Sequence, residues 1–542
     1  MLFQFAGGVG MFLYGLHIMG EGLQKSAGTR MKKLLGYLTN NRLLAVLVGT
    51  LITAVMQSSS ATTVMVVGFV NAGIMNLSQA VGVIMGANIG TTVTAWIVSA
   101  SELGGIFKPE FFAPLVVGIS SFLILFSKSD KKKTYGELFI GFGLLFIGLT
   151  YMSGAIAPYR DSPVFSKIFE TLGKNPILGI LAGTIVTAII QSSSASVGIL
   201  QTLAMNGVLA WNSVAFITLG QNIGTCVTAI LSSAGAKKNA KRAAVIHLLF
   251  NVIGAIVAGI VLTIVFHLIP EWGNARINAV EISIFHTIFN VLNTILIFPF
   301  ANHLVKLSEI IIKDDQEETE NNENLPHLDD RMMENPSFAV ERVEAEVIRM
   351  GNMATEQMRE SMDALLSTSK KQAKKVFAME EIMDKTAHIL SEYLVKVGGL
   401  SLTEKENQLV SNLFYAVNDI ERIGDHCDNI AELAVKMKDE DLHFSDKAVK
   451  GLTQMYTSAV DALIQANVAR EYKDKKAILI TLQNEERVDQ MEQELRAGHV
   501  KRLSKHQCNT QSGILFLDVL TSLERIADHT VNLVGYVEDE LS

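Results

Sequence analysis

The sequence predicts an all-α chain: a polytopic membrane protein with two inverted-topology repeats containing re-entrant hairpins, followed by a soluble helical bundle of two three-helix repeats. Three observations predict it. Charged residues are sparse and glycine abundant from Met1 to about Glu309, whereas acidic, basic and amide side chains dominate from Lys313 onward. A segment ending in Gln-Ser-Ser-Ser occurs twice at fixed spacing within the apolar part. The polar part carries six long amphipathic stretches with glycine or serine breaks between them.

Composition sets the outer bounds. A hydrophobic share of 49% over 542 residues, with mean hydropathy +0.31, lies outside the usual soluble range. The apolar domain spans 1–310, with repeat one about 1–130, repeat two about 135–270 and a final helix about 281–306; an acidic linker follows at 311–336 and the helical tail at 337–542. Cys226, Cys427 and Cys508 are too few and too scattered for a disulfide framework, so the tail fits a reducing compartment. Met1 to Gly10 lacks the basic start and cleavage pattern of a secretory signal, so the first apolar segment is expected to be retained. A net charge of -8 gives no reason to expect nucleic acid as a partner.

Apolar segments fall near 3–20, 43–56, 61–74, 79–99, 111–127, 138–157, 176–190, 195–210, 214–233, 243–268 and 281–305. Crossing the hydrocarbon core takes about 20 residues. The pairs around each Gln-Ser-Ser-Ser are shorter and broken by polar residues, which predicts re-entrant hairpins, tolerable only where protein or a cavity surrounds the break. Basic clusters at Lys25, Arg30, Lys32, Lys33 and Arg42, at Lys131 to Lys133, and at Lys237, Lys238, Lys241 and Arg242 mark cytoplasmic loops. Ser101 to Glu110, Pro158 to Lys174 and Pro270 to Ala279 then lie outside. Hairpin one is expected on the cytoplasmic side, hairpin two on the outside, and the tail in the cytoplasm, although parity alone equally accepts two full spans per hairpin.

Asn41 to Ser60, NRLLAVLVGTLITAVMQSSS, matches Asn175 to Ser194, NPILGILAGTIVTAIIQSSS, at an offset of 134; the same offset carries GANIGTTVTA from Gly86 onto GQNIGTCVTA from Gly220. A weaker echo links GMFLYGL at Gly10 with GLLFIGL at Gly143. Repeats with opposite expected orientation are the sequence signature of alternating access. Paired QSSS hairpins, each followed by an N-I-G-T segment, resemble the type II sodium/phosphate cotransporter family over residues 1–310. The resemblance implies cotransport of inorganic phosphate with sodium, a site at the hairpin tips, and a transport unit moving against a scaffold, in the lipid bilayer of a bacterial plasma (inner) membrane.

The residue chemistry is compatible with that. Gln57, Ser58, Ser59 and Ser60, and Gln191, Ser192, Ser193 and Ser194, sit where an apolar helix breaks and restarts. Unpaired amides at a half-helix amino end favour an anion, while hydroxyl and carbonyl oxygens suit sodium. Thr62 and Ser196, one helical step on, and Asn88, Thr91, Asn222 and Thr225 in the N-I-G-T segments are assigned to the same cavity, where Gly86, Gly90, Gly220 and Gly224 permit unwinding or close approach. Serine and threonine also pack and hydrogen-bond between membrane helices; four consecutive polar residues duplicated in register favour a solute site. No Lys or Arg lies within the expected hairpin cores, so sodium would compensate phosphate charge. His247 to Asn251 and His286 to Asn290 each read H-x-x-F-N, with His and Asn on one helix face, for which hydrogen bonding between helices outweighs an ion or proton role.

Lys313 to Asn335 is acidic and amide-rich and reads as a flexible linker. Amphipathic segments follow near 337–367, 370–398, 403–437, 445–471, 475–504 and 508–540. DIERIGDHCDN from Asp419 recurs as SLERIADHTVN from Ser522, an offset of 103. This resembles the PhoU family of phosphate-signalling regulators, two three-helix repeats whose E-x-x-x-D helices bind metal clusters. The resemblance implies a regulatory role and a divalent or iron-type metal held by Glu421, Asp425, Asp428, Glu524 and Asp528, with Val531 standing where Asp428 would repeat. A solvated face paired with Arg422 and Arg525 is the competing reading. Cytoplasmic phosphate-signalling proteins and a homodimer are further partners it allows.

Two other readings stay open: a symporter for another oxyanion or a carboxylate, and a membrane-anchored phosphate sensor that moves nothing. The chain is not expected to be an enzyme. It has no G-x-x-x-x-G-K-[ST] loop for ATP and no Ser/His/Asp or clustered Cys/His arrangement.

Overall fold

A computed structural model describes residues 2–36, 41–102, 108–159, 162–313, 327–505 and 509–541, and among these the chain is helical throughout apart from turns and one isolated bridge between Ala210 and Arg276. Cys508, residues 103–107 of one expected outside loop and 314–326 of the linker lie outside the described residues. The chain divides into two units, Met1–Glu318 with Asp329–Phe338, and Thr319–Leu328 with Ala339–Ser542.

The first unit is built from α1 (Leu2–Gly36), α2 (Arg42–Met56), α3 (Ser59–Asn71), α4 (Leu77–Ser99), α5 (Pro109–Phe126), α6 (Asp130–Ile156), α7 (Pro163–Lys174), α8 (Pro176–Ile190), α9 (Ser193–Met205), α10 (Trp211–Ser232), α11 (Lys238–Leu268), α12 (Pro270–Asn274), α13 (Ala279–Ile297) and α14 (Ala301–Ile311). Among the described residues six helices are long and apolar enough to cross a bilayer, Leu2–Ala27, Leu77–Glu102, Asp130–Tyr159, Trp211–Ser232, Lys238–Leu268 and Ala279–Ile311. A seventh arises if Lys167–Lys174 and Pro176–Ile190, bent by 114°, count as one. Leu115, Ile119, Phe122 and Leu125 on α5 and Ile256, Ile260 and Ile264 on α11 are exposed. Contiguous apolar surface of this kind is ruinous in water and ordinary in lipid. This is a membrane protein.

The two repeats fold alike. α2 packs on α4 as α8 packs on α10. A Cβ at Gly86 would lie 2.0 Å from the Val46 carbonyl oxygen, and one at Gly220 would lie 1.9 Å from that of Ile180. Both α4 and α10 run unbroken through their N-I-G-T segments. The glycines therefore serve close approach, and the alternative of local unwinding does not occur. Elsewhere the ends are tied by polar contacts: Glu102 accepts from the Ala279 and Val280 amides at 2.8 and 3.2 Å, opening α13, and Lys25 on α1 pairs with Glu137 on α6 at 2.9 Å.

Two stretches differ from expectation. Pro158 to Lys174 is not all loop, because α7 occupies its second half. Ile168, Phe169 and Leu172 recur at helical spacing there, but Lys167, Glu170 and Lys174 dilute the apolar average below that of a span. The far end of the acidic linker is also ordered. Asp329 opens a short 3-10 helix, Met332 within it is fully buried, and Phe338 packs on Phe69 of α3 with ring centroids 4.6 Å apart and planes tilted by 53°. Asn71 at the end of α3 donates to Asp329 at 2.6 Å, and Arg331 donates to the Ser232 carbonyl at 2.6 Å. One buried methionine and one aromatic ring anchor a segment whose composition is otherwise that of a linker.

The second unit comprises α15 (Pro336–Ser367), α16 (Lys370–Gly398), α17 (Glu404–Asp439), α18 (Asp446–Tyr472), α19 (Lys475–Leu503) and α20 (Thr510–Leu541). Each starts or stops on a local signal. Thr403 and Glu406 form a capping box at α17, and Ser369, Ser445 and Asp474 cap α16, α18 and α19. The amphipathic faces bury Leu390, Leu413, Ile420, Leu452, Leu463 and Leu523 in the bundle interior. Glu540 near the end of α20 is held by Arg470 at 2.5 Å and Lys473 at 2.6 Å.

Candidate functional site

Each Gln-Ser-Ser-Ser is a helix stop followed at once by a helix start. Gln57 closes α2 in the left-handed region (φ 54°, ψ 21°) and Gln191 closes α8 there as well (φ 58°, ψ 22°). Neither is glycine, so both carry backbone strain of order 1 kcal/mol that the surrounding packing must hold. Ser58 and Ser192 are then extended, and their hydroxyls accept from the amides of Ala61 and Ala195 at 3.1 and 3.2 Å, capping α3 and α9. Within each hairpin a hydroxyl pair ties the two helices: Thr53 to Thr62 at 3.0 Å, Thr187 to Ser196 at 2.9 Å.

The two breaks meet. Ser59 and Ser193, the first residues of α3 and α9, bring their Oγ atoms to 3.3 Å. Ser60 Oγ donates to the Gln191 carbonyl at 3.3 Å. Thr94 of α4 donates to Gln57 Oε1 at 3.0 Å and accepts from Ser194 Oγ at 3.2 Å, so one threonine joins both tips. Gln57, Ser59, Thr62, Ser193, Ser194 and Ser196 are buried, whereas Gln191 is exposed and Ser58, Ser60 and Ser192 are intermediate.

The N-I-G-T residues are less uniform. Thr91 and Thr225 are buried with their hydroxyls on carbonyls one turn back, at 2.9 and 3.0 Å. Asn88 likewise donates to the Ile84 carbonyl at 2.9 Å. Asn222, by contrast, donates to Asn290 Oδ1 at 2.8 Å on α13. Its neighbour Gln221 reaches Ser196 Oγ at 2.9 Å instead. Four residues were missed from sequence: Thr53, Thr94, Thr187 and Gln221. The first three lie inside the quoted repeats, in the Thr-Ala pairs that coincide at the 134 offset. Gln221 had a signal of another kind, since repeat one has Ala87 at that place.

In the tail, carboxylates gather on both repeats. Glu421 on α17 is held above the usual range by burial and then by Asp425; Asp428 is pushed up to about 6 by burial, Glu432, Asp425 and Asp384. Glu380 on α16 is pushed up to about 7, mainly by burial and with repulsion from Asp384, Asp425 and Asp428. In the second repeat one carboxylate oxygen each of Glu485, Asp489 and Asp528 lies within 4.8 Å of the others. Burial raises Glu485, Asp489 and Glu524, and neighbouring carboxylates add to it. Arg422 and Arg525 do pair with Asp425 and Asp528, at 3.0 and 3.3 Å, yet Glu421, Asp428 and Glu524 beside them stay raised. Of the expected metal residues Asp528 lies in the close group; its partners on α19 were missed. A sequence signal existed, because Glu380-Glu381-x-x-Asp384 and Glu485-Glu486-x-x-Asp489 repeat the E-x-x-x-D spacing of Glu421/Asp425 and Glu524/Asp528.

Comparison with known proteins gives both parts relatives. The profile of the Na+/Pi-cotransporter family matches residues 11–154 and 161–278, and that of the PhoU domain matches 347–434 and 452–537. The chain is 26% identical over 529 residues to a protein of Escherichia coli (strain K12) named "Putative inorganic phosphate export protein YjbB", covering 96% of this chain and 94% of that relative. It is 29% identical over 182 residues to "Sodium-dependent phosphate transport protein 2A" of Rattus norvegicus, covering 32% of this chain and 28% of that one. Among solved structures, PhoU from Pseudomonas aeruginosa matches at 20% identity and TM-score 0.36, over 38% of this chain and 97% of that one.

Proposed function

We propose, from the match of its N-terminal half to the Na+/Pi-cotransporter family and of its C-terminal half to the PhoU domain, that the chain is a sodium-coupled secondary transporter of inorganic phosphate working by alternating access. The observation that carries this reading is the approach of two helix amino ends at Ser59 and Ser193. Each such end bears roughly half a positive charge and amides without helical partners. Two of them head to head repel unless an anion lies between, and phosphate suits both the charge and the donors.

Sodium fits the rest of the site. Hydroxyls of Ser59, Ser60, Thr94, Ser193 and Ser194 and the oxygen of Gln57 offer hard, neutral ligands, and a cation beside the anion supplies charge compensation that no Lys or Arg near the hairpin tips provides. We assign the role of binding phosphate and sodium to the two tips with Thr62 and Ser196. Of the N-I-G-T set, Thr91, Thr225 and Asn88 line the supporting helices. The matching stops at Gln57 and Gln191 and the contact of equivalent serines support two re-entrant hairpins of a two-fold repeat, which alternating access uses in inverted orientation.

The tail, by the same reading, is cytoplasmic at the inner membrane of a bacterium. It regulates the flux, with a divalent or iron-type metal at the carboxylates of α16, α17, α19 and α20. Counterflow of radiolabelled phosphate in proteoliposomes tests the core claim. A sensor that moves nothing gives no counterflow, and a symporter for another oxyanion gives none with phosphate alone.

A further inference from the structure

Hairpin one ends, away from its tip, against a segment to which the transport reading gives no role. α3 runs unbroken from Ser59 to Asn71, about 20 Å at roughly 1.5 Å per residue, so its tip and its far end move together as a rod. The segment Asp329–Phe338 seats on that far end. A Cβ at Gly68 would stand 2.9 Å from Arg331 Cβ and 3.3 Å from Asp329 Oδ1. Asn71 donates to Asp329 at 2.6 Å, and its own Oδ1 accepts from the Lys237 amide at 2.7 Å.

Arg331 extends the contact to the second repeat. Its guanidinium donates to the carbonyl of Ser232, the last residue of α10, at 2.6 Å and to that of Ala234 at 3.4 Å, while Asp329 holds it at 2.7 Å. The closing end of a helix carries free carbonyls and partial negative charge, which a guanidinium suits. Met332 and Phe338 join the apolar cluster that contains Val66, Phe69 and Val70 of α3 and Ala229 of α10. Asn335 accepts from the Phe338 amide at 3.0 Å, so the segment and the first turn of α15 are one piece.

At the other end of the rod, Ser59 touches Ser193 of hairpin two. Drawing these tips apart by tilting α3 shifts its far end against α10 and breaks the bonds of Asn71 and Arg331. A segment that served only to anchor a linker would need its two apolar side chains and nothing more. Here a buried ion pair also bridges α3 to α10, the first repeat to the second.

We propose that Asp329–Phe338 is a strap that regulates the hairpin site. Seated, it holds α3 against α10 and keeps the tips together; withdrawn, it frees hairpin one to open. Because the strap runs directly into α15, the C-terminal half governs flux by drawing on it or releasing it. The inference rests on the transport reading for what the tips do, and adds the means by which they are held.

The test has two readouts on the full chain in proteoliposomes, phosphate counterflow and the rate at which Ser59→Cys and Ser193→Cys cross-link under mild oxidation with the native cysteines replaced. Loosening the strap with Arg331→Ala and Phe338→Ala together is expected to raise counterflow and to slow cross-linking, each by about threefold, because the tips spend more time apart. Arg331→Gln, which removes only the bridge to α10, should move both readouts in the same directions by less. Cross-linking that is unchanged in the loosened chain overturns the strap, whether counterflow holds steady or falls. If the double variant does not fold, unchanged cross-linking in Arg331→Gln does so. Slowed cross-linking in a chain that shows no phosphate counterflow with its strap intact or loosened would instead overturn the transport reading and leave the strap standing.

Discussion

Ser59 Oγ and Ser193 Oγ stand 3.3 Å apart although 134 positions separate them, and that is the same offset that superimposes the two Gln-Ser-Ser-Ser segments. Equivalent residues of two repeats touch each other only near an axis that relates them. The pair therefore marks where the repeats converge, and the alternating access proposed above requires that its surroundings change during transport. With Ser59→Cys and Ser193→Cys in a chain whose three native cysteines are replaced, mild oxidation is expected to cross-link the tips. Phosphate flux should then fall more than tenfold and return with reductant. Full flux through the cross-linked protein would contradict convergent, moving tips.

Packing of α8 on α10 depends on Gly220. A Cβ there would fall 1.9 Å from the Ile180 carbonyl oxygen, and backbone cannot yield as a side chain does. Gly220→Ala is expected to cost ~2 kcal/mol or more, read as a lowered unfolding midpoint in detergent. Gly7→Ala on α1, where nothing lies within 4 Å, should show no loss. Equal midpoints for the two variants would show that the repeat does not depend on this approach.

In the tail, Asp419 accepts from His529 at 2.7 Å, Asn532 at 3.1 Å and Tyr536 at 2.8 Å, binding α17 to α20. Burial works against its charge, but these three donors outweigh burial and hold the carboxyl below its usual value. Asp419→Ala leaves all three donors without their acceptor and is expected to destabilise the tail by ~3 kcal/mol, seen in chemical denaturation followed by circular dichroism. A loss below about 0.5 kcal/mol would mean that the donors find other partners.

Glu380, held at about 7, and Asp428, at about 6, have folded values above their ordinary values of 4.5 and 3.8. Their contribution to stability is thus fully present below the ordinary values and is lost as pH rises through about 6 to 7. In chelator, the unfolding midpoint of the tail within the full chain is expected to fall between pH 5 and pH 8. A divalent or iron-type cation that replaces the protons should restore it at pH 8. A midpoint that does not vary with pH or metal would contradict a carboxylate cation site.

Much of this was legible in the sequence because duplication writes a signal twice. The Gln-Ser-Ser-Ser breaks, the spacing of Gly86 and Gly220, and the six amphipathic tail helices all follow from pattern alone. What sequence pattern does not carry is which face of a helix meets which neighbour. Asn222 and Gln221 are adjacent, yet one turns to α13 and the other to Ser196, a choice made by tertiary packing rather than by the N-I-G-T segment. Thr94 sits at the end of the quoted repeat, but its bridging of Gln57 and Ser194 needs both hairpins in place. The carboxylates of α16 and α19 were present as E-x-x-x-D, but the residues around them, MEEIMDK and NEERVDQ, share too little to declare a repeat. α7 escaped because its charges hide a twelve-residue amphipathic face.

The most direct measurement is radiolabelled phosphate flux in proteoliposomes holding the full chain, in either direction, under an imposed sodium gradient and again with potassium or choline in its place. Flux that follows the sodium gradient, vanishes without sodium and is abolished by Gln57→Ala or Gln191→Ala is the predicted result. Phosphate flux of equal size without sodium, or undiminished in both glutamine variants, would contradict coupled transport at the meeting point of the two helix breaks.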